Sequence, residues 1–178
     1  MFFWILLLST ALLSIERISY FLIWRYPETF RSLCSRSEIA AFAEPIDVLE
    51  KLFYLFKTIQ LSVFIGWCIV FADGALPLPS GGLLATMAGG ILILIGQLLN
   101  LSVFYRLGKH GVFYGNKLGY DIPWCHGFPF TISRHPQYLG TLISIWGFFL
   151  IMRFPNDDWI VLPAIQTLYY ALGAHIES

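Results

Sequence analysis

Five long apolar segments constrain this chain more than any other feature of its sequence. They lie near residues 2–24, 52–72, 83–105, 138–152 and 159–176. At a rise of about 1.5 Å per residue, the second and third are about 32 Å and 35 Å long, which is enough to cross a hydrocarbon core of about 30 Å. The sequence therefore predicts a single domain over residues 1–178, an all-α integral membrane protein with four to five membrane helices in the lipid bilayer.

The first segment differs from the others because Glu16 and Arg17 interrupt its apolar run. It has neither the basic start nor the small-residue cleavage site of a secretory signal peptide. We therefore expect it to remain in the mature protein, either as a membrane span or lying partly in the membrane interface.

The composition argues against several classes of protein. Only 12% of the residues are charged, and eleven Lys and Arg balance eleven Asp and Glu, so no net field exists to attract nucleic acid. The three cysteines, Cys34, Cys68 and Cys125, have no Cys-x-x-Cys or Cys/His spacing. We therefore expect no nucleic-acid partner, no disulfide framework and no metal site, and the oligomeric state is left open.

Basic residues concentrate in two of the connections between apolar segments. Residues 25–51 and residues 106–137 each contain four Lys or Arg, whereas residues 73–82 contain none. Lys and Arg are enriched in the cytosolic loops of membrane proteins. The two basic connections, and with them the C-terminus, are therefore predicted to face the cytosol.

A short turn over residues 153–158 joins the last two segments. It predicts an antiparallel helical hairpin, with Asp157 or Asp158 capping the second helix. A hairpin returns its two ends to one face of the membrane, so residues 135–138 and 175–177 are expected to meet there. An imidazole, a tyrosine, a carboxylate and the arginine at position 134 are thereby brought together, which we interpret as a candidate site at the cytosolic face.

Glycines are frequent between residues 89 and 119. A glycine lets a ligand approach the backbone closely or adopts a positive φ angle, but glycines in membrane segments serve close helix packing equally well. The candidates for ligand approach are Gly108, Gly111, Gly115 and Gly119, and those for either role are Gly89, Gly90 and Gly96.

At five stretches between residues 95 and 140, the chain resembles the plant-type phospholipid N-methyltransferases. These belong to the wider group that includes phosphatidylethanolamine and isoprenylcysteine carboxyl methyltransferases. The stretches are Ile-Gly-Gln-Leu-Leu-Asn at 95–100, Gly-Val-Phe-Tyr-Gly at 111–115, Asp-Ile-Pro-Trp at 121–124, Phe-Pro-Phe at 128–130 and Arg-His-Pro-Gln-Tyr-Leu-Gly at 134–140. The segment over residues 24–34 looks plant-type as well.

The resemblance implies a small bundle of membrane helices without a Rossmann domain, located in the endoplasmic reticulum, with S-adenosylmethionine as methyl donor at the cytosolic face. The implied acceptor is a membrane phospholipid, phosphatidyl-N-methylethanolamine, which is converted through its dimethyl form to phosphatidylcholine. One donor-binding element of this family lies late in the third helix, here Leu94, Ile95 and Gly96. The other is a pair of carboxylates after the last helix, where this chain has Glu177 followed by Ser178.

The implied reaction suggests roles for polar residues. Transfer of a methyl group to an amine needs a base that accepts the amine's proton, and His135 is the first candidate. Glu177 is the second candidate, or the residue that orients that histidine. Arg134 is expected to bind a carboxylate of the donor or a lipid phosphate, because its planar guanidinium forms paired hydrogen bonds with such groups.

Aromatic residues and glycines complete the predicted donor site. A sulfonium cation is attracted by aromatic faces, so Tyr138, Tyr114 or Phe113 is expected beside the donor. Gly111 and Gly115 are expected to let the donor approach the backbone.

Three alternatives stay open on the sequence alone. The nearest is an enzyme of the same group that acts on another acceptor, an isoprenylcysteine carboxylate or a small thiol. An NADPH-dependent enzyme of the sterol-reductase type shares the C-terminal hairpin, but this chain is short for such a bundle. The third is a non-enzymatic membrane scaffold or transporter, although the sequence has no intramembrane acidic pair or inverted repeat to support it.

Overall fold

The computed structural model describes residues 1–36, 44–72, 79–123 and 125–177. Within these residues the chain forms helices and no strand, which confirms the predicted all-α architecture. The helices are α1 (Phe2–Arg25), α2 (Pro27–Arg36), α3 (Pro45–Val70), α4 (Leu83–Val112), α5 (Pro136–Met152) and α6 (Val161–Ile176).

Among the described residues, three helices, α1, α3 and α4, are long and apolar enough to cross a membrane, and α5 is a shorter apolar helix. α1 is continuous through Glu16 and Arg17, because both side chains find partners inside the bundle. α3 begins at Pro45 rather than near residue 52. Glu44 and Asp47 form a capping box at this start, and such polar caps lie outside the apolar run that predicted the helix.

α4 also extends past its predicted end, through a kink at Gly108. This glycine has φ 61° and ψ −174°, a conformation that glycine adopts without the steric cost of a side chain. The turn after the kink brings Lys109 to the start of α3, where its ammonium pairs with Asp47 at 2.6 Å and with Glu50. The two basic connections therefore lie at the same end of the bundle, which we call the site end.

α4 and α5 pack with their backbones in close contact. Gly89 and Gly96 of α4 face Gly147 and Gly140 of α5, and a Cβ atom at Gly89 would lie 2.6 Å from the Gly147 carbonyl oxygen. A Cβ atom at Gly140 would likewise lie 2.6 Å from the Gly96 carbonyl oxygen. The structure thus gives Gly89 and Gly96 a packing role, whereas the Cβ position of Gly90 is open.

α5 and α6 form the predicted antiparallel hairpin. Near the middle of the hairpin, the Trp146 indole N–H donates to the Thr167 hydroxyl at 3.1 Å. Towards the site end, the rings of Tyr138 and Tyr170 lie 5.3 Å apart in an edge-to-face arrangement. The first turn of α5 and the last turns of α6 are therefore neighbours.

The predicted cap of α6 is wrong. Neither acidic residue of the turn caps this helix, which begins at Val161 with Ile160 at the N-cap position. The carboxylate of Asp158 instead accepts two hydrogen bonds from the Arg153 guanidinium, at 2.6 Å and 3.0 Å, and one from the Trp67 indole at 2.7 Å. A charged partner just after α5 and a donor on α3 outcompete the backbone N–H groups of α6.

Apolar side chains fill the space between helices and also cover much of the outside. One cluster contains Phe64, Trp67 and Phe149 and joins α1, α3, α5 and α6. On the outer face of α4, Leu84 is 83% exposed and Leu101 is 65% exposed. A continuous apolar exterior of this kind suits contact with lipid.

Candidate active site

The carboxylate of Glu177, just after α6, is held by two tyrosine hydroxyls. Tyr114 donates to Oε1 at 2.6 Å, and the Tyr138 hydroxyl lies 2.7 Å from both carboxylate oxygens. A negative charge at a helix C-terminus opposes the helix dipole, so these donors stabilise a position that is otherwise unfavourable. We call Tyr114, Tyr138 and Glu177 the carboxylate cluster.

His135 lies on the other side of Tyr138. It occupies the N-cap position of α5, and its ring stacks on the Tyr138 ring with centroids 5.5 Å apart and planes inclined by 15°. His135 and Glu177, the two base candidates, therefore contact the ring and the hydroxyl of one tyrosine. The structure brings both to the site end.

Tyr114 reaches Glu177 from a strained backbone position. Its φ angle is 52°, in the left-handed region that costs a non-glycine residue about 1–3 kcal/mol. Edge-to-face contacts with Tyr20 at 5.9 Å and Trp24 at 5.5 Å help to hold the ring. Burial, followed by the proximity of Tyr138 and Glu177, raises the pKa of Tyr114 well above its usual value, so its hydroxyl stays a donor to the carboxylate.

A second polar group, which we call the ion cluster, consists of Glu16, Arg17 and Lys57. Glu16 is only 5% exposed, and its Oε1 atom lies 2.8 Å from both Arg17 Nη2 and Lys57 Nζ. Lys57 also donates to the Tyr170 hydroxyl at 2.9 Å and to Gln60 at 3.2 Å. Two cations inside the bundle thus share one carboxylate.

The ion cluster and the carboxylate cluster adjoin each other. The Arg17 guanidinium lies 3.9 Å from the centroid of the Tyr170 ring and 5.2 Å from that of Tyr138. Because the Tyr138 hydroxyl reaches Glu177, a single layer of aromatic rings separates the two clusters. Charge in one cluster is therefore close enough to act electrostatically on charge in the other.

Sequence reasoning missed the ion cluster. Glu16 and Arg17 were noticed only as an interruption of an apolar run, and Lys57 and Tyr170 were not singled out. Charged residues within membrane segments are costly and usually paired or functional, which is the signal that was available. Naming the partners requires the packing of α1 against α3 and α6, because the bonded residues are 41 and 113 positions apart.

Three cavities meet around these clusters. A central cavity of about 40 Å³ touches both clusters, with Arg17, Lys57 and Tyr138 in its wall. A cleft of about 590 Å³, the α3–α5 cleft, lies between α3, α4 and α5 and shares Lys57 with the central cavity. A cleft of about 350 Å³, the α1–α6 cleft, lies between α1 and α6 and shares Arg17 with it. Both clefts have the size of small-molecule sites.

Several predicted donor-site residues lie apart from the carboxylate cluster. On the outside of α4, Leu94 is 66% exposed and Ile95 is 44% exposed. Gly96 faces α5, and because an α-helix turns by about 100° per residue, the side chains of the two residues before it point away from α5. Arg134 is exposed. Of the predicted donor set, the structure brings Tyr114, Tyr138 and Glu177 together; a donor contact by the others stays a prediction.

The two predicted donor-site glycines beside Tyr114 lie in the turn that follows the kink. A Cβ atom at Gly111 would lie 2.6 Å from the Cβ of Leu107, and a Cβ atom at Gly115 would overlap the carbonyl oxygen of His110. The structure therefore explains these glycines by the tight course of the backbone around Tyr114, and their contact with a donor stays a prediction.

Comparisons with known proteins give relatives for most of this chain. It is similar to a phosphatidyl-N-methylethanolamine N-methyltransferase of Arabidopsis thaliana, with 29% identity over 126 residues, which is 71% of this chain and 67% of the relative. Proteins of the same name match from Saccharomyces cerevisiae, with 32% identity over 52% of this chain and 45% of the relative, and from Emericella nidulans, with 38% identity over 33% and 30%. The matches thus span about two thirds of the plant protein and less than half of each fungal one.

No solved structure shows a significant match. A sequence profile described as "Phospholipid methyltransferase" matches residues 84–178, which include α4 from its second residue, the turn with Tyr114, α5, α6 and Glu177. The match covers more than half of the chain and contains the whole carboxylate cluster. The chain belongs to the phospholipid methyltransferase family.

Proposed function

We propose that this chain transfers methyl groups from S-adenosylmethionine to phosphatidyl-N-methylethanolamine and its dimethyl form, and so makes phosphatidylcholine. The carboxylate cluster beside His135, at one end of a membrane bundle and within the segment that matches the family, is the observation that carries the proposal. The names of the plant and fungal relatives support the choice of acceptor.

The amine of the acceptor is mostly protonated at neutral pH, so methyl transfer requires its proton to be removed. His135 is proposed as the base, because an imidazole is the side chain that proteins use most often for this purpose. Glu177 is the second candidate. Its carboxylate accepts hydrogen bonds from Tyr114 and Tyr138, and its oxygen atoms are suited to accept a further hydrogen bond from the ammonium group.

When bound, S-adenosylmethionine supplies a methyl group on a sulfonium cation. The uncharged polar residues of the α3–α5 cleft fit the nucleoside part of such a ligand: the Oδ1 atom of Asn100 is buried and has no hydrogen-bond partner within the described residues, and Gln137 and Thr141 line both this cleft and the central cavity. The ring of Tyr138, next to that cavity, is proposed to face the cation. The sequence resemblance also implies a donor contact for Glu177, and measuring donor binding by the Glu177→Gln variant separates the two roles.

The proposed location is the endoplasmic reticulum membrane, with the site end towards the cytosol and the whole chain acting as one methyltransferase unit. Contacts between the two basic connections support this orientation. The Arg31 guanidinium donates to the Lys117 carbonyl at 3.5 Å, and Lys109 pairs with Asp47. Most of the chain's Lys and Arg are thus at one end of the bundle.

Product analysis tests the proposal. The purified protein in lipid nanodiscs receives isotope-labelled S-adenosylmethionine and, in separate reactions, the unmethylated, monomethylated or dimethylated phosphatidylethanolamine, with farnesylcysteine as the acceptor of the alternative enzyme. We expect labelled phosphatidylcholine from the mono- and dimethylated lipids by mass spectrometry. Labelling of farnesylcysteine instead, or of no acceptor, contradicts the proposal.

A further inference from the structure

The ion cluster carries an unbalanced positive charge. Arg17 and Lys57 share Glu16, so the three ionised groups sum to one positive charge. Within the ranges that the structure describes, the ion pairs of Arg17 are limited to Glu16. Because a charge inside a membrane bundle is costly without a counter-ion, this cluster favours an anionic ligand.

Arg17 rather than Lys57 has the capacity to bind that ligand. The ammonium of Lys57 has three protons and three acceptors, on Glu16, Gln60 and Tyr170. Arg17 uses Nη2 for Glu16, while its Nε atom is buried without a partner among the described residues. The Arg17 side chain is 12% exposed, and Arg17 lines the α1–α6 cleft.

Glu177 lines the same cleft and keeps acceptor capacity. A carboxylate has about four lone-pair sites, and the carboxylate cluster supplies two hydroxyl protons. Oε1 accepts from Tyr114, and the single proton of Tyr138 is shared between Oε1 and Oε2. Oε2 therefore has room for a further donor, such as an ammonium group.

The rest of the α1–α6 cleft is apolar and faces outward. Ile18 and Phe21 of α1 and Leu172 of α6 line it, and their exposed fractions are 55%, 41% and 58%. The cleft is thus open on the side of the bundle that contacts lipid. Its two charged residues are a cation on α1, Arg17, and an anion just after α6, Glu177.

We infer that the α1–α6 cleft is the binding site for the acceptor lipid, in which Arg17 binds the phosphate and Glu177 the amine of a zwitterionic phosphoethanolamine headgroup, while the acyl chains lie between Ile18, Phe21 and Leu172. The inference rests on the proposed function and adds the route and the headgroup contacts. It assigns a specific role to α1, which lies outside the segment that matches the family.

Charge complementarity favours this cleft over the larger α3–α5 cleft. The charged group of the α3–α5 cleft is Lys57, whose protons are already used, and the other polar groups there are amides and hydroxyls such as those of Gln97 and Ser144. A zwitterion needs an anion-binding and a cation-binding group in one site. Of the two clefts, the α1–α6 cleft has both.

Photo-crosslinking tests the location without requiring methyl transfer. The full chain in nanodiscs receives phosphatidyl-N-methylethanolamine with a diazirine near the glycerol end of one acyl chain, and labelled peptides are identified by mass spectrometry. We expect labels on α1 and α6 near Phe21 and Leu172, displaced by excess unlabelled phosphatidyl-N-methylethanolamine but not by phosphatidylglycerol, which lacks the amine. Labels confined to α3 and α4, or equal displacement by both lipids, overturn the inference.

Kinetics test the headgroup contact. Arg17→Gln is expected to raise the KM for the lipid about tenfold or more and to leave S-adenosylmethionine binding unchanged, whereas Arg25→Gln, on the exposed end of the same helix, leaves both unchanged. Arg17→Gln also removes a partner of Glu16, so a second variant that leaves the ion cluster intact is needed. Leu172→Trp places a larger side chain at the outer opening of the α1–α6 cleft and is likewise expected to raise the KM for the lipid. Leu168→Trp, exposed on the same helix, is its control.

The outcomes distinguish failure of the proposed lipid site from failure of the proposed function. An unchanged lipid KM in both Arg17→Gln and Leu172→Trp, with active wild type, overturns the inference and leaves the proposed function standing. Crosslinks in the α1–α6 cleft without methyl transfer to any ethanolamine lipid support the lipid site and contradict the proposed function.

Discussion

The two helices of the C-terminal hairpin make very different interfaces with the rest of the bundle. α5 meets α4 through glycines, with backbone against backbone. α6 meets α1 through aromatic and charged side chains and leaves a cleft of about 350 Å³ between them. The tight interface fixes the position of the first turn of α5, and the loose interface leaves Glu177 in the wall of an open cleft.

The largest expected effect is at the base candidate. His135→Ala is predicted to lower kcat about 100-fold or more, as removal of a general base does, and to leave thermal stability close to that of the wild type. His126→Ala, an exposed histidine in the connection before α5, is the control and is expected to keep full activity. Equal rates for the two variants in the labelled-donor assay contradict the role of His135.

The loose interface depends on its charges. Glu16→Gln leaves Arg17 and Lys57 without their shared carboxylate and is predicted to destabilise the protein by about 3–5 kcal/mol, as breaking a buried ion pair does. Glu28→Gln changes an exposed residue of α2 and is expected to change the free energy of unfolding by less than about 1 kcal/mol. Denaturant unfolding of both variants in detergent measures the difference, and a stable Glu16→Gln protein contradicts the ionic account of this interface.

The tight interface depends on the absence of side chains. Gly96→Ala places a methyl group against the Gly140 carbonyl and the Ser144 hydroxyl, and we expect a loss of about 1–3 kcal/mol from overpacking. Gly90→Ala, on the open side of the same helix, is expected to be neutral or to stabilise by about 0.5–1 kcal/mol. If the two variants unfold alike, backbone contact does not hold α4 to α5.

The smallest effect concerns the hydroxyl of Tyr114. Its pKa is raised in the folded protein, so its contribution to stability is complete below the unfolded pKa of about 10 and is lost as the pH rises through the folded pKa. Wild type is therefore predicted to lose more stability between about pH 9 and about pH 11 than Tyr114→Phe does. Tyr105→Phe, at a 90% exposed position, should follow the wild type, and parallel curves for all three proteins contradict the burial of this hydroxyl.

The elements of the fold that arise from local sequence were predictable. Apolar runs predicted the main helices, and the short polar turn predicted the hairpin. Helix ends were predicted less well where capping or a kink decides them, as at Glu44 and Gly108. The predicted helix cap at Asp158 was wrong because its carboxylate binds Arg153 and Trp67 instead of the backbone of α6.

The candidate site was predictable only in part, for a physical reason. The hairpin brought Tyr138 and Glu177 together without further assumptions, because a short turn between antiparallel helices returns the start of the first and the end of the second to the same side of the membrane. The ion cluster needed knowledge of which helices are neighbours, because Glu16 and Lys57 belong to different elements. The outward direction of Leu94 and Ile95 follows from the contact of Gly96 with α5, which a single sequence does not reveal.

The central claim is that the charge of Glu177, held by two tyrosines at the site end, serves methyl transfer to an ethanolamine phospholipid. The most direct measurement compares wild type with Glu177→Gln, which keeps the size and an acceptor oxygen but removes the charge. We expect labelled phosphatidylcholine from wild type and about 100-fold less of it from the variant, at equal thermal stability of the two proteins. Equal rates of phosphatidylcholine formation by the two proteins would contradict it.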